Sequence, residues 1–466
     1  MYEWKNMNSN LLATKLRSVV SALRDDLKPE LHSAQAKLRA ELIDMLLMRL
    51  SVEIELQEAN DIHERHVSEL LVAATGNSQA TARAFSDELL FTNLSNEFTR
   101  QRVSKVVKSL AELERQWRSR VEAKLTEATR GTVGAKTSGG ELVIDPLAFA
   151  DYLRKRAPEN TSITSVKLTT VPGGRSKATI LADIEAPSGP RSIVLRKDFG
   201  ISVAGASVAY EYPIIKAVWE AGLPVPQPLW LESDPEVIGG QFIAFSRVAG
   251  KAMGTLFTSD ASPAFLREFA AVLARLHAVD IDATGLADKL NLGRDRHPVK
   301  TLVMQFRERY RITVPPTPLM DAAFAWLDLQ LESIGNERAL VHGDAALHNT
   351  MGDGDRMTAL LDWELAHAGD PAEDLAYCKY LVERLMPWDD FMAAYYAAGG
   401  KRVCEARIRF FTIWRTLYLA VLTGGTQTLF ESGGDQDLRI AGIGYTTFPR
   451  QLRDLATDLA SYTAGE

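Results

Sequence analysis

Apolar residues recur at three- and four-residue steps through the first 130 positions. Leu12, Leu16, Val19, Leu23 and Leu27 share one face of a helix, Pro29 interrupts it, and Leu38, Leu42, Met45, Leu46 and Leu50 line the next. The pattern predicts a third helix near Asn60–Ala74, closing at Gly76-Asn77, and a long charged helix from about Asn96 to Thr129. Val103, Val107, Leu110, Leu113 and Trp117 mark the apolar side of that long helix. Together these read as a small all-α bundle. The stretch RGTVGAKTSGG, Arg130–Gly140, is rich in small residues and reads as a linker. The period then changes. Ser165–Thr170, Lys177–Ile184 and Ser192–Asp198 have β-branched or alternating character, with turn signals at Pro172-Gly173-Gly174 and Ser188-Gly189-Pro190. A helix is predicted over Val208–Ala221, and strands near Pro228–Leu231 and Gln241–Val248. Beyond Gly250 the pattern is mainly helical. The expected organisation is α+β: an accessory helical bundle (1–130), a linker (131–144), a small β-rich lobe (145–248) and a larger helical lobe (249–466).

Composition narrows the classes. The 466 residues are 46% hydrophobic and 24% charged, as in a water-soluble globular protein. No apolar run reaches the roughly 20 residues that span a bilayer, and MYEWKNMNSN lacks a signal peptide's apolar segment, so no membrane association is expected. Two cysteines, Cys378 and Cys404, make no disulfide framework and suit a reducing cytoplasm. The net charge is -7, and its acidic excess lies beyond residue 130. Nucleic acid, which needs clustered Lys and Arg, is therefore not an expected partner. His32, His63 and His66 lack metal-type spacing to acidic residues.

Candidate chemistry is concentrated in Ala339–Tyr377. His342-Gly343-Asp344 follows an apolar strand-like segment, Asn349 comes five residues after the Asp, and Asp362-Trp363-Glu364 closes a second apolar strand. Phosphoryl transfer needs this order of groups. Asp344 can accept a hydroxyl proton, and Asn349 and Asp362 can hold Mg2+ against the phosphates of ATP. The spacing from Asp344 to Asn349 equals that of the kinase catalytic loop, H-R-D-x-x-x-x-N. His342 is expected to brace the loop, and Glu364 to pair with a nearby base.

HGDxxxxN, then LDWE, then Gly369-Asp370-Pro371-Ala372-Glu373-Asp374-Leu375-Ala376 resembles the aminoglycoside phosphotransferase and choline kinase group of small-molecule kinases. The resemblance implies a bilobal protein-kinase-like fold over about Asp145 to Ala460. It places Gly173, Gly174 and Ser176 in a phosphate-covering turn, where glycine lets the backbone approach phosphate closely. It sets a phosphate-gripping cation on the third strand, at Arg196 or its neighbour Lys197. Neighbours on a strand face opposite sides, so only one reaches the cleft, and Arg196 is favoured. It also implies that Glu211 pairs with that cation, that Ser246 and Val248 lie in an adenine-binding hinge, and that His277 has a packing role. Asp370 and Asp374 would tie the catalytic loop to the helical lobe. Asp198-Phe199-Gly200 spells DFG but precedes the catalytic loop, and is read as a coincidence.

Within the group, LDWELAHAGDPAEDLAY is most similar to the phosphotransferases associated with acyl-CoA dehydrogenases, which implies a hydroxyacyl-CoA as the small-molecule hydroxyl substrate. RKDFG stands where that branch has a proline-rich continuation. The 1–130 bundle resembles a small helical partner of bacterial members. Two other readings stay open: a kinase of aminoglycoside or macrolide antibiotics, and a nucleotide-binding scaffold without catalysis. The aromatic and basic stretch Arg407–Thr423 argues for an apolar or anionic acceptor rather than a polycation.

Overall fold

The computed structural model describes residues 9–32, 34–75, 97–128, 144–157, 161–171, 177–198, 206–255, 258–433 and 438–463. The chain forms two compact units. One is Met1–Ser138 with Val303–Ile334 and Thr412–Glu466, and the other is Gly139–Leu302 with Gly335–Phe411. The Gly76-Asn77 helix end, most of the 131–144 linker and the glycine turn at Gly173, Gly174 and Ser176 lie outside the described residues.

The first unit is helical. Its elements include Ser9–Ala22, Ala34–Glu55, Gln57–Thr75 and Glu97–Ala128, close to the segments predicted from periodicity. The first helix ends in a π turn, Leu23–Leu27, and a single 3-10 turn carrying Pro29, because proline lacks the N–H that would continue it. Helices Pro318–Ile334 and Phe448–Thr463 pack on Glu97–Ala128. Val103, Val107, Leu110 and Ala111 are buried along that long helix.

The second unit opens with an antiparallel sheet of five strands. These are β1 (Ser165–Val171), β2 (Lys177–Glu185), β3 (Arg191–Asp198), β4 (Pro228–Glu232) and β5 (Phe242–Ser246), in the order β1-β2-β3-β5-β4. Alternation decides its two faces. Ala178, Ile180, Ala182 and Ile184 of β2 and Ile193 and Leu195 of β3 point into a core closed by Phe149, Ala150 and Leu153 of the Pro146–Arg156 helix. The opposite face carries Lys177, Arg196 and Asp198, and the helix Val208–Glu220 contributes Glu211 to them. The helical part adds two small sheets. β7 (Ala339–Val341) pairs with β10 (His367–Gly369), and β8 (Thr350–Asp353) lies between β6 (Lys251–Ala252) and β9 (Arg356–Leu360). The α+β plan expected from the pattern is the one observed. Among the described residues no helix is long and apolar enough to cross a membrane.

Candidate active site

The turn after β7 carries His342-Gly343-Asp344. Gly343 has φ +74, and a Cβ there would sit 2.3 Å from the Leu365 carbonyl oxygen, so only glycine fits. The buried Asp374, on the helix Ala372–Val382, accepts from the amides of His342 (2.8 Å) and Gly343 (2.9 Å) and from His277 Nε2 (3.0 Å). Burial opposes the Asp374 charge, but His277 and His342 hold its carboxyl below the usual range. His342 Nδ1 accepts from the Asp344 amide (3.2 Å), so Nε2 carries the proton given to the Leu361 carbonyl (2.9 Å). This is a neutral, Nε2-protonated imidazole, and burial lowers its pKa in the same sense. His342 thus has the bracing position expected of it.

Asn349 ends a 3-10 turn, Leu347–Asn349, and its side-chain amide Nδ2 donates to both the Asp344 carbonyl (2.9 Å) and the Asp344 Oδ2 (2.8 Å). That orientation turns the Asn349 amide oxygen away from Asp344. The Asn349 carbonyl accepts from the Leu361 amide (2.8 Å), which fixes the residue just past β9 and, next to it, Asp362. Asp362 has φ +70, a left-handed conformation that aspartate tolerates better than most residues. Strain of this kind is maintained by the surrounding structure and is concentrated at functional positions. The buried Trp363 beside it packs edge-on against His342, with centroids 4.6 Å apart.

The sheet supplies the cations. Arg196 donates from Nε to Glu211 (3.2 Å) and from Nη2 to Asp362 (2.5 Å). Burial opposes its charge, but Asp362, Glu211 and Glu364 outweigh burial and raise its pKa. Lys197 points to the other face, beside Ile193 and Leu195, where burial lowers its pKa. The strand therefore sends Arg196, not Lys197, toward Asp362. Burial pushes the Glu211 carboxyl up to about 7, against the pull of Arg196. Ser246 ends β5, and its amide and hydroxyl both bond Gln227 (3.0 and 3.1 Å); Val248 follows, half-buried.

Lys177 does not stand out in the sequence, yet it sits in this network. Its ammonium meets the carbonyl of Ala206 (2.5 Å), Asp198 (3.3 Å), Glu364 (3.3 Å) and Glu211 (3.8 Å). It is the base that Glu364 was expected to find. The strand register sets Lys177 directly opposite Asp198. Asp198 is not an idle letter of DFG either: its carboxylate accepts from the Val208 amide, the first N–H of the helix that carries Glu211, while Ser207 is that helix's N-cap. His277 does more than pack, since its two ring nitrogens meet Asp374 and the Tyr395 hydroxyl (2.9 Å). The basic character of Arg407–Thr423 gives no direct support to an anionic acceptor. Arg407 is taken up by Asp370 (2.5 and 3.0 Å), Arg409 by Glu405, and Arg415 is buried over Tyr418.

Among the described residues no group of three or more His, Cys, Asp or Glu side chains could hold a metal ion. Mg2+ does not require one, because it takes one or two protein ligands and completes its octahedron with phosphate and water. The Asn349 amide oxygen and the Asp362 carboxylate fit that donor set.

Residues 167–411, more than half of the chain, match the phosphotransferase enzyme family. The chain belongs to that family. Acyl-CoA dehydrogenase family member 11 of Rattus norvegicus is 34% identical to this phosphotransferase over 190 residues, covering 38% of this chain and 24% of that protein. The Gallus gallus protein of the same name is 34% identical over 197 residues, covering 41% and 25%. The chain thus spans about a quarter of the length of these relatives. A solved structure from Ralstonia eutropha JMP134, provisionally described as an aminoglycoside phosphotransferase, has a TM-score of 0.52 at 20% identity, covering 68% of this chain and 98% of that one. That likeness shows the fold of the phosphotransferase to be the two-lobed, kinase-like one.

Proposed function

We propose that this phosphotransferase moves the γ-phosphate of ATP to a hydroxyl of a small molecule, and that the acceptor is a hydroxyacyl-CoA. The observation that carries the reading is two bonded pairs, Asn349 with Asp344 and Arg196 with Asp362, joined through the backbone where the Leu361 amide donates to the Asn349 carbonyl. Asp344 takes the hydroxyl proton as the oxygen attacks the γ-phosphorus and the bond to the bridging oxygen of the departing ADP breaks, and the Asn349 amide nitrogen holds the Asp344 carboxylate for that task. Arg196, kept charged by its carboxylates, moves from Asp362 to the phosphates. Asn349 and Asp362 would hold Mg2+, which when bound neutralises charge on the transferring phosphates. Gly173, Gly174 and Ser176 would cover the phosphates, and Ser246 and Val248 would flank the adenine. The acyl-CoA part of the proposal is supported by the relatives, which are named as acyl-CoA dehydrogenase family proteins.

The test is ADP release by the purified chain across hydroxyacyl-CoAs, aminoglycosides and macrolides, with Asp344→Asn as control. Loss of a general base predicts a fall in kcat of about 10²–10⁴-fold with little change in KM for ATP. Turnover on an antibiotic alone would replace the acceptor assignment. No turnover above the Asp344→Asn background on any acceptor would leave a nucleotide-binding scaffold and refute the catalytic reading.

A further inference from the structure

We infer that Lys177 is a positioning residue for the metal–nucleotide site: its ammonium latches Glu364 to β2 and thereby holds Asp362 in place. The inference rests on the proposed role of Asp362 as a magnesium ligand. Lys177 begins β2 and lies directly opposite Asp198 on β3, on the sheet face that also carries Arg196. It is 2% exposed, and lysine is almost never so buried without partners. Its partners come from four places in the chain: Ala206, Asp198, Glu211 and Glu364. The last of these is 187 residues away in sequence and two residues past Asp362.

The division of labour on Glu211 gives the latch its direction. Arg196 takes one carboxylate oxygen, at 3.2 Å, and Lys177 approaches the other, at 3.8 Å. Arg196 also holds Asp362, so a cation arriving at Asp362 competes with the guanidinium for the same carboxylate. When Arg196 leaves for phosphate, Lys177 still restrains Glu211, Asp198 and Glu364. The segment Asp362-Trp363-Glu364 is then pinned at both ends, by Asn349 through Leu361 and by Lys177 through Glu364. Buried ion pairs contribute little net stability compared with apolar side chains of the same size, and their best-supported benefit is defined geometry. A group that orients a metal ligand without touching the metal characteristically changes affinity about 10–100-fold when removed.

The experiment measures binding of a fluorescent ADP analogue to the full chain, with Mg2+ and with EDTA, for wild type, Lys177→Met, Glu364→Gln and the double variant. Lys177→Met is expected to weaken binding about tenfold or more with Mg2+ and less than twofold in EDTA. The double variant should be no weaker than Lys177→Met, because both changes open one latch. Wild-type affinity for the magnesium complex in a folded Lys177→Met protein overturns the inference, as do independent, multiplying losses in the double variant. If Lys177→Met does not fold, the nearly isosteric Glu364→Gln decides: a magnesium-specific loss supports the latch and unchanged affinity overturns it. A wild-type chain that binds no nucleotide refutes both this inference and the proposed function. One that binds the magnesium complex but transfers no phosphate refutes only the catalytic reading.

Discussion

Asp374 is the residue on which the His342-Gly343-Asp344 turn depends, though it lies on a separate helix. It accepts from two consecutive backbone amides and from His277, and all of these partners are buried. Replacing His277 by leucine removes a charge-assisted bond to Asp374 and the contact with the Tyr395 hydroxyl. The expected cost is about 3 kcal/mol in urea unfolding, with a parallel loss of kcat. A loss below roughly 1 kcal/mol would mean that the two amides suffice to hold Asp374. A second residue makes a pH prediction. Burial pushes the Asp458 carboxyl up to about 7, and Asp454 adds to the shift while Thr416 opposes it. In the unfolded chain it returns to about 3.8. The folded state therefore binds the extra proton between these values, and stability falls as pH rises from about 4 to about 7. Asp458→Asn keeps an acceptor for Thr416 and cannot ionise. It is expected to stabilise the protein by roughly 2–4 kcal/mol at pH 8, with the gain vanishing toward pH 4. Equal gains at both pH values would exclude a neutral Asp458 in the folded protein.

Elements differ in how clearly the amino-acid pattern foretells them. β2 and β3 are legible because Ala178, Ile180, Ala182, Ile184, Ile193 and Leu195 alternate with polar residues, and the same alternation separates Arg196 from Lys197. Asp344, Asn349 and Asp362 are legible as candidates because their spacing is set by one short turn and one hairpin. Lys177 is not, because its meaning depends on the register between β2 and β3 and on Glu364, far along the chain. His277 is equally silent, since an apolar helix face shows that a position is buried and not that a carboxylate waits there. β7 and β10 are too short, at three residues each, to be recognised by periodicity. Their pairing still controls the site, because it sets Gly343 against Leu365. Gly343→Ala adds a methyl group 2.3 Å from the Leu365 carbonyl oxygen at a φ of +74. The turn must shift or lose its bonds to Asp374. A cost of at least about 2 kcal/mol is expected, or a melting temperature lowered by at least about 4 °C, without any dependence on added nucleotide. A variant that melts like the wild type would show that the turn can relax.

At the scale of the whole chain, the helices of the first 130 residues were readable one by one, but their packing partners were not. A stripe such as Val103, Val107 and Leu110 declares that a helix face is covered and leaves open by what. The structure groups these helices with Val303–Ile334 and Thr412–Glu466 in one unit. Arg100 donates to the Leu329 carbonyl (2.8 Å), and Arg453 pairs with Glu122 (3.1 Å), so polar contacts fix the same packing. Each buried Val or Leu on the long helix contributes roughly 1.5–3 kcal/mol. A few such side chains match the whole net stability of a domain, about 5–15 kcal/mol. We therefore expect residues 139–466 expressed alone to be poorly soluble, or to bind a hydrophobic dye and unfold without a sharp transition. Co-expression of residues 1–138 should restore solubility and cooperative unfolding, because the apolar faces of Pro318–Ile334 and Phe448–Thr463 regain their cover. If residues 139–466 instead stay soluble and monomeric and unfold as sharply as the full chain, the N-terminal helices are an independent attachment. Their burial against the C-terminal helices then contributes nothing the remaining chain needs.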